Sequence, residues 1–178
     1  MKIGLFKFYL FHIVFTIFIV VLSSLFISVG LKNIIYQQVE KDLYDIAALQ
    51  KRHLPSPIKN PDQIDQFCKY TAGKHRVRLT VVDRNGEVLG DSDNNSELME
   101  NHGDRPEIIS ALQGEKAFSI RFSVTMGEPY AYAAIPVVEN DTIVAVLRAA
   151  RSVQDIDTDL IDVRVRSIIL LAAVLLLY

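Results

Sequence analysis

The sequence predicts an α+β domain, a five-stranded antiparallel sheet with helices packed on it, placed between two apolar helices. Three observations carry this. Two hydrophobic segments bracket the chain: Phe8 to Leu31 contains no Asp, Glu, Lys or Arg, and a second run extends from Ser167 to Tyr178. The polar stretch between them opens with apolar side chains at helical spacing. After Gly73 the apolar period falls to two, in short runs separated by turn residues. Strands joined mainly as hairpins, with helices before and between them, make α+β rather than an alternating α/β fold.

The brackets come first. A hydrocarbon core about 30 Å thick takes roughly 20 apolar residues as a helix, and 8–31 supplies them. A cleaved signal peptide is the alternative, with Lys2 and Lys7 as its basic start and Ser28-Val29-Gly30 as its small-residue site. The apolar core of a signal peptide is about 7–15 residues, shorter than this run, so an uncleaved anchor is favoured. The second run is about 12 residues, too short to span, and it lacks the polar face of a soluble helix. It reads as the start of a second membrane helix, truncated here, in a longer protein. The expected organisation is a cytoplasmic tail (1–7), transmembrane helix 1 (8–31), an extracytoplasmic domain (32–166) and the start of transmembrane helix 2 (167–178). Lys2 and Lys7 favour an inside N-terminus. Lys32, Lys41, Arg164 and Arg166 pull the other way, but that rule is weak where a long domain is translocated.

A net charge of −2 points to neither nucleic acid nor a strongly charged partner. Cys68 is the only cysteine. It has no intramolecular partner and reads as a small buried hydrophobe.

Beyond the first bracket, Ile35, Val39, Leu43, Ile46 and Leu49 form an apolar stripe on a helix that continues the membrane segment as far as Pro55-Ser56-Pro57. Asn60 and Pro61 suit the N-cap and first position of a short helix burying Ile64, Phe67 and Cys68. Val77, Leu79 and Val81 then alternate with Arg78, Thr80 and Val82 in a first strand. Asp83-Arg84-Asn85-Gly86 makes the turn, with Asn-Gly supplying positive φ, and Glu87–Asp91 returns. After an irregular polar stretch, Asp104 is placed to cap a helix whose Glu107 completes a capping box, with Ile108, Ile109 and Leu112 buried. Three strands follow, Lys116–Thr125, Tyr130–Glu139 and Thr142–Ser152, and an exit helix carries Val153, Ile156, Leu160, Ile161 and Val163 toward the second bracket.

The run RLTVVDRNGEVLGDS (Arg78–Ser92) resembles the first hairpin of extracytoplasmic PAS-like (PDC or Cache) sensor domains. MENHGDRPE (Met99–Glu107) closely resembles the His-x-x-Arg-Pro-Glu signature of phosphate-regulation (PhoR-type) sensor histidine kinases. Gly114, Arg121–Ser123, YAYAAIP (Tyr130–Pro136) and Val146–Arg148 keep that family's order. The resemblance implies a PAS-like five-stranded sheet with a long N-terminal helix, at a bacterial cell membrane with the sensor domain outside. It implies a homodimer whose stimulus moves the membrane helices, a kinase using ATP and Mg in the part of the parent protein not present here, and a response regulator as partner. This chain has no phospho-acceptor string or ATP-lid motif, so catalytic residues and cofactors are expected to be absent from it. Related outer domains occur on chemoreceptors and cyclic-dinucleotide enzymes; a non-signalling membrane scaffold is the third reading.

Candidate site residues follow. From Asp83 to Glu107 eight acids face two bases. Asp91, Asp93 and Glu97 are weak metal candidates, but a calcium loop is rejected because Ser96 stands where it needs Gly and His102 where it needs Glu. A solvated polar loop accounts for the acids better. His102 and Arg105 are candidates for a ligand or pH-sensing cluster, with loop-anchoring hydrogen bonds the plainer role. In the family's fold Arg121, Tyr130, Tyr132 and Arg148 line a pocket face, where the arginines could grip a carboxylate or phosphate as forks. Pairing of both arginines with the nearby acids is preferred.

Overall fold

The computed structural model describes residues 2–72, 77–158, 161, 162, 165, 166 and 169. Its elements are α1 (Lys2–Lys51), α2 (Pro61–Ala72), β1 (Arg78–Asp83), β2 (Val88–Asp91), a 3-10 turn (Ser96–Leu98), α3 (Pro106–Leu112), β3 (Ala117–Ser123), β4 (Glu128–Glu139) and β5 (Thr142–Ser152). Residues 153–158 are helical. The chain divides into two compact units, one of Met1–Gln37 with the segment from Asp157 onward, the other Gln38–Ile156.

In the first unit α1 exposes a nearly unbroken apolar surface, including Phe8, Phe11, Ile13, Phe15, Ile17, Phe18 and Leu22. Among the described residues no helix is long and apolar enough to cross a membrane. The side chains at 20, 21, 23–29 and 31 lie outside that description, and so does 167–178 apart from residue 169. Leu160 and Val163 of the expected exit helix also lie outside it.

The second unit holds the sheet, with strand order β2-β1-β5-β4-β3 and every neighbouring pair antiparallel. The five-stranded α+β prediction therefore describes the fold. The first and last strands lie side by side, with Thr80 opposite Arg148. Antiparallel partners share a face. One face carries Leu79, Ala149, Ala133 and Phe118 in one row and Val81, Leu147 and Ile135 in the next. The other carries Arg78, Ala150, Tyr132 and Ser119, then Thr80, Arg148, Ala134 and Ala117. Both faces of the central strands are buried, and the second mixes charged and polar side chains with an apolar patch of Val82, Ala134 and Val146.

Burying Leu79, Val81 and Leu147 completely stabilises the unit by about 1.5–3 kcal/mol per side chain. The helices contribute to the core as well. In α1, Val39, Leu43 and Ala47 step by four residues and Gln50 closes the buried stripe, while Leu49 points outward at 47% exposure. Of the expected stripe, Ile46 is partly buried and Leu49 faces outward, while small Ala47 takes the innermost position. The helix ends at Lys51, four residues before Pro55. Arg52, His53 and Leu54 donate to the carbonyls three residues back, tightening the end into 3-10 geometry. α2 opens as its sequence suggests, with Asn60 Oδ1 accepting from the N–H groups of Asp62 (3.0 Å) and Gln63 (3.4 Å). It buries Ile64 and Cys68, with Phe67 only partly covered.

Turn chemistry places the strands. Only Gly86 takes positive φ (86°) in the first hairpin, and the Asp83 carboxylate accepts from the N–H groups of Asn85 and Glu87, both at 2.8 Å. The two-residue turn with both φ values positive is Asn140-Asp141 (48° and 60°) between β4 and β5, as a tight I′-type hairpin requires.

α3 departs from its expected cap. Pro106 occupies the first helical turn and makes Arg105 the N-cap, with extended geometry and no side-chain cap bond. Asp104 is therefore one residue too early to cap, and the Glu107 side chain turns inward rather than back along the helix. Ile108 and Ala111 pack against Val82, Ala134 and Val146, with Leu112 partly buried, while Ile109 is 43% exposed.

β2 and α2 approach so closely that a Cβ on Gly90 would stand 2.7 Å from the backbone N and Cα of Asp65. Gly90→Ala is expected to cost about 1–3 kcal/mol through this overpacking, read as a lower Tm. A melting curve superimposable on the parent's would show that the two backbones are not in contact.

Candidate functional site

The polar face of the sheet organises around one carboxylate. Glu107 enters from α3, its side chain 0% exposed. Arg121 on β3 grips it as a fork, Nη2 donating to Oε1 (2.7 Å) and Nε to Oε2 (3.2 Å). Ser119 Oγ donates to Oε2 at 2.8 Å. From β5, Arg148 Nη1 donates to Oε1 at 3.2 Å, and its Nη2 donates to Thr80 Oγ1 at 3.1 Å. Thr80 Oγ1 passes the chain on, donating to Asp91 Oδ2 at 2.8 Å. Asp91 in turn accepts from Arg78 Nε at 3.0 and 3.1 Å. The Tyr132 ring on β4 lies against both cations, its centroid 4.2 Å from Arg121 Cζ and 4.7 Å from Arg148 Cζ, a favourable cation–π arrangement. All five strands and α3 thus contribute to one buried network.

Burial by itself raises a carboxyl pKa. At Glu107 the Arg121 hydrogen bond and the charges of Arg148 and Arg121 outweigh it and hold the group at about 2. The ion pairs are present across the neutral range.

Of the expected pocket residues, Arg121, Tyr132 and Arg148 come together, and the arginines are paired with Glu107. Tyr130, its ring 5.9 Å from Tyr132, faces a different space, a cavity of about 370 Å³ that Arg78, Ser92, Asp93 and Ser152 also line. His102 and Arg105 line a smaller cavity of about 290 Å³, with Asn94, Met99, Glu100 and Val124 around it. The backbone N–H of His102 donates to Gly86 O at 2.7 Å, tying the loop to the first hairpin. Its ring is buried, and Nδ1 has no hydrogen-bond partner. Arg105 Nε lies 3.3 Å from Asp104 Oδ1, close enough for an ion pair but not aligned for a hydrogen bond.

The weak metal candidates do not converge. Both Asp91 oxygens are engaged by Arg78, and they also accept from Thr80 and the N–H groups of Asp93 and Asn94. Asp93 accepts from Ser92 Oγ, and Glu97 is exposed. Among the described residues no three His, Cys, Asp or Glu side chains group as metal ligands. Cys68 is fully buried, which pushes its thiol pKa well up. Sequence reasoning missed Arg78, Thr80 and Ser119. Arg78 and Thr80 fall on the polar side of an alternating strand, a pattern that ordinarily faces water, so neither local sequence signals that this face is covered.

No protein-family profile matches the chain, and no curated protein matches it. Solved structures do. The sensor domain of the Vibrio cholerae histidine kinase DctB aligns with TM-score 0.53 at 20% identity, over 69% of this chain and 57% of that one. The Escherichia coli DcuS sensor domain aligns with TM-score 0.56 at 16% identity, over 70% of this chain and 98% of that one. The ligand-binding domain of the Pseudomonas aeruginosa amino acid chemoreceptor PctC, solved with GABA, aligns with TM-score 0.58 at 10% identity, over 67% of this chain and 60% of that one. The chain therefore spans a little over half of the DctB and PctC domains and nearly all of the DcuS domain. Its fold is that of the PAS-like PDC/Cache sensor domains found on histidine kinases and chemoreceptors.

The network makes a pH prediction. Burial, then the charges of Arg148 and Arg105, push the His102 pKa from 6.5 down to about 4. The unfolded chain then takes up this proton first, so the stability contributed is complete above about pH 6.5 and is lost as pH falls toward 4. The loss is on the order of 3 kcal/mol, one pKa unit being about 1.4 kcal/mol. Glu107, depressed from 4.5 to about 2, supports the fold fully above 4.5 and loses its contribution as pH falls through 2. Urea titrations between pH 7 and 4 should show the first loss, and His102→Gln should flatten it while leaving the acid loss below about pH 4 in place. An unchanged slope in the variant would remove His102 from the account.

Proposed function

We propose that this chain is the extracytoplasmic input region, with its membrane anchor, of a two-component sensor histidine kinase of the PhoR type. The observation that carries the reading is the fold. A PDC/Cache domain matched along nearly the whole length of the DcuS sensor domain is a device for sensing outside a membrane. The kinase assignment rests on the His102–Glu107 string and the downstream order of Arg121, Tyr130–Pro136 and Arg148. The apolar surface of α1 from Phe8 to Leu22 supports an anchor, since exposed apolar area on this scale marks a membrane or partner surface. In this reading the N-terminus is cytoplasmic, two copies pair, and the stimulus shifts α1 and the exit helix. The cytoplasmic part then uses ATP and Mg to phosphorylate itself and a response regulator.

A chemoreceptor input domain is the second reading, favoured by the likeness to PctC. The two readings part in the output region of the full-length protein. A phospho-acceptor helix and an ATP-binding domain are expected there. A long methyl-accepting helical hairpin would replace the first reading with the second, and a short polar tail would leave only a scaffold.

A further inference from the structure

We propose that Glu107 is an internal ligand: its carboxylate fills an anion site that Ser119, Arg121, Arg148 and the Tyr132 ring build on the sheet, and with Glu107 removed the site takes a small free monocarboxylate. The donors and the acceptor come from different parts of the fold. Every side-chain donor to Glu107 stands on a strand, on β3 or β5, with Tyr132 on β4 behind them. The acceptor is delivered by a helix of only seven residues. The sheet residues alone form a complete carboxylate receptor, with one forked arginine, one single-armed arginine and a hydroxyl, arranged as arginine recognition of carboxylates favours. The helix supplies the one group a diffusing ligand would otherwise bring.

Charge bookkeeping strengthens the case. Arg78, Arg121 and Arg148 face Asp91 and Glu107 in the network, so one positive charge remains in excess with Glu107 in place. Arg148 Nε is buried without an acceptor, so the site holds unused donor capacity even when filled. Removing Glu107 leaves two buried or half-buried guanidinium groups uncompensated, a costly state that any carboxylate able to enter relieves. α3 has no side-chain cap at its start, so beyond its apolar contacts Glu107 is what ties it to the sheet. If the chain is a sensor, as proposed above, a stimulus acting at this face must move α3 or compete with its carboxylate. The anion site itself does not depend on that reading.

Thermal melts of the full chain in mild detergent, in sodium chloride and in sodium acetate at equal ionic strength, test the proposal. Glu107→Ala should lower Tm in chloride by roughly 10 °C, and acetate should restore at least half of that loss in a saturable manner. The parent chain and Glu107→Gln, where the site stays filled, should melt alike in both salts. Glu107→Ala/Arg121→Ala should lose the acetate effect. If Glu107→Ala does not fold in chloride, recovery of folded protein in acetate is the expected result, and failure to recover overturns the proposal. Equal melting of Glu107→Ala in the two salts, or an acetate shift as large in the parent chain, overturns it as well. None of these outcomes bears on whether the chain signals.

Discussion

The buried carboxylate of Glu107 sets the terms for the centre of one face of this sheet. Arg148 sits in the central strand β5 with its side chain 2% exposed, where an unpaired guanidinium could not be tolerated. Glu107 is the acidic partner that reaches it, and Glu107 arrives only if α3 packs over β3, β4 and β5. The ion pair and the packing of Ile108 and Ala111 on Val82, Ala134 and Val146 therefore require each other. Apolar contact brings the helix down, and the charge pair fixes where it lands. Thr80 and Asp91 carry the same constraint across to Arg78, so β1 and β2 are held in register with β5 by side chains as well as by their ladders.

The two faces of the sheet divide the work. The face of Leu79, Val81, Leu147 and Ala149 is a conventional apolar core, and the row of alanines at 131, 133, 145 and 149 leaves room for covering side chains. The opposite face combines an apolar patch under α3, of Val82, Ala134 and Val146, with the polar network. The network part depends on satisfied hydrogen bonds in a low-dielectric setting, where a complete network is strong and an incomplete one is costly. His102 and Arg105 lie at the rim of this region beside the smaller cavity, with polar atoms that lack hydrogen-bond partners.

Much of the fold was legible in the sequence. β5 runs from Thr142 to Ser152 as its pattern indicated, because Asn140-Asp141 marks one end unambiguously and the residues after it favour a strand. The start of α2 was equally plain from Asn60 and Pro61. The misreadings have local causes. Pro106 shifts the α3 cap by one residue and frees Glu107 for the interior. Ala47 is too small to announce itself on the buried stripe of α1. The site was legible in part: Arg121, Tyr132 and Arg148 were singled out, and pairing with nearby acids was favoured over an open pocket. What the sequence could not disclose was that β1 and β5 are neighbours. Thr80 and Arg148 are far apart along the chain, and nothing in either local pattern announces that a threonine will bridge an arginine to Asp91.

A double-mutant cycle on Glu107 and Arg148 tests the central claim most directly. With Glu107→Leu and Arg148→Met, the first variant should lose about 3–5 kcal/mol by stranding the buried Arg148, and the second less, because Arg121 and Ser119 still hold Glu107. The double variant strands no fully buried charge and leaves only the part-exposed Arg121 unpaired, so it should lose less than the sum, a coupling of at least about 2 kcal/mol. Losses that add to within about 0.5 kcal/mol would mean that the two residues do not depend on each other, and the polar face would need a different organising principle.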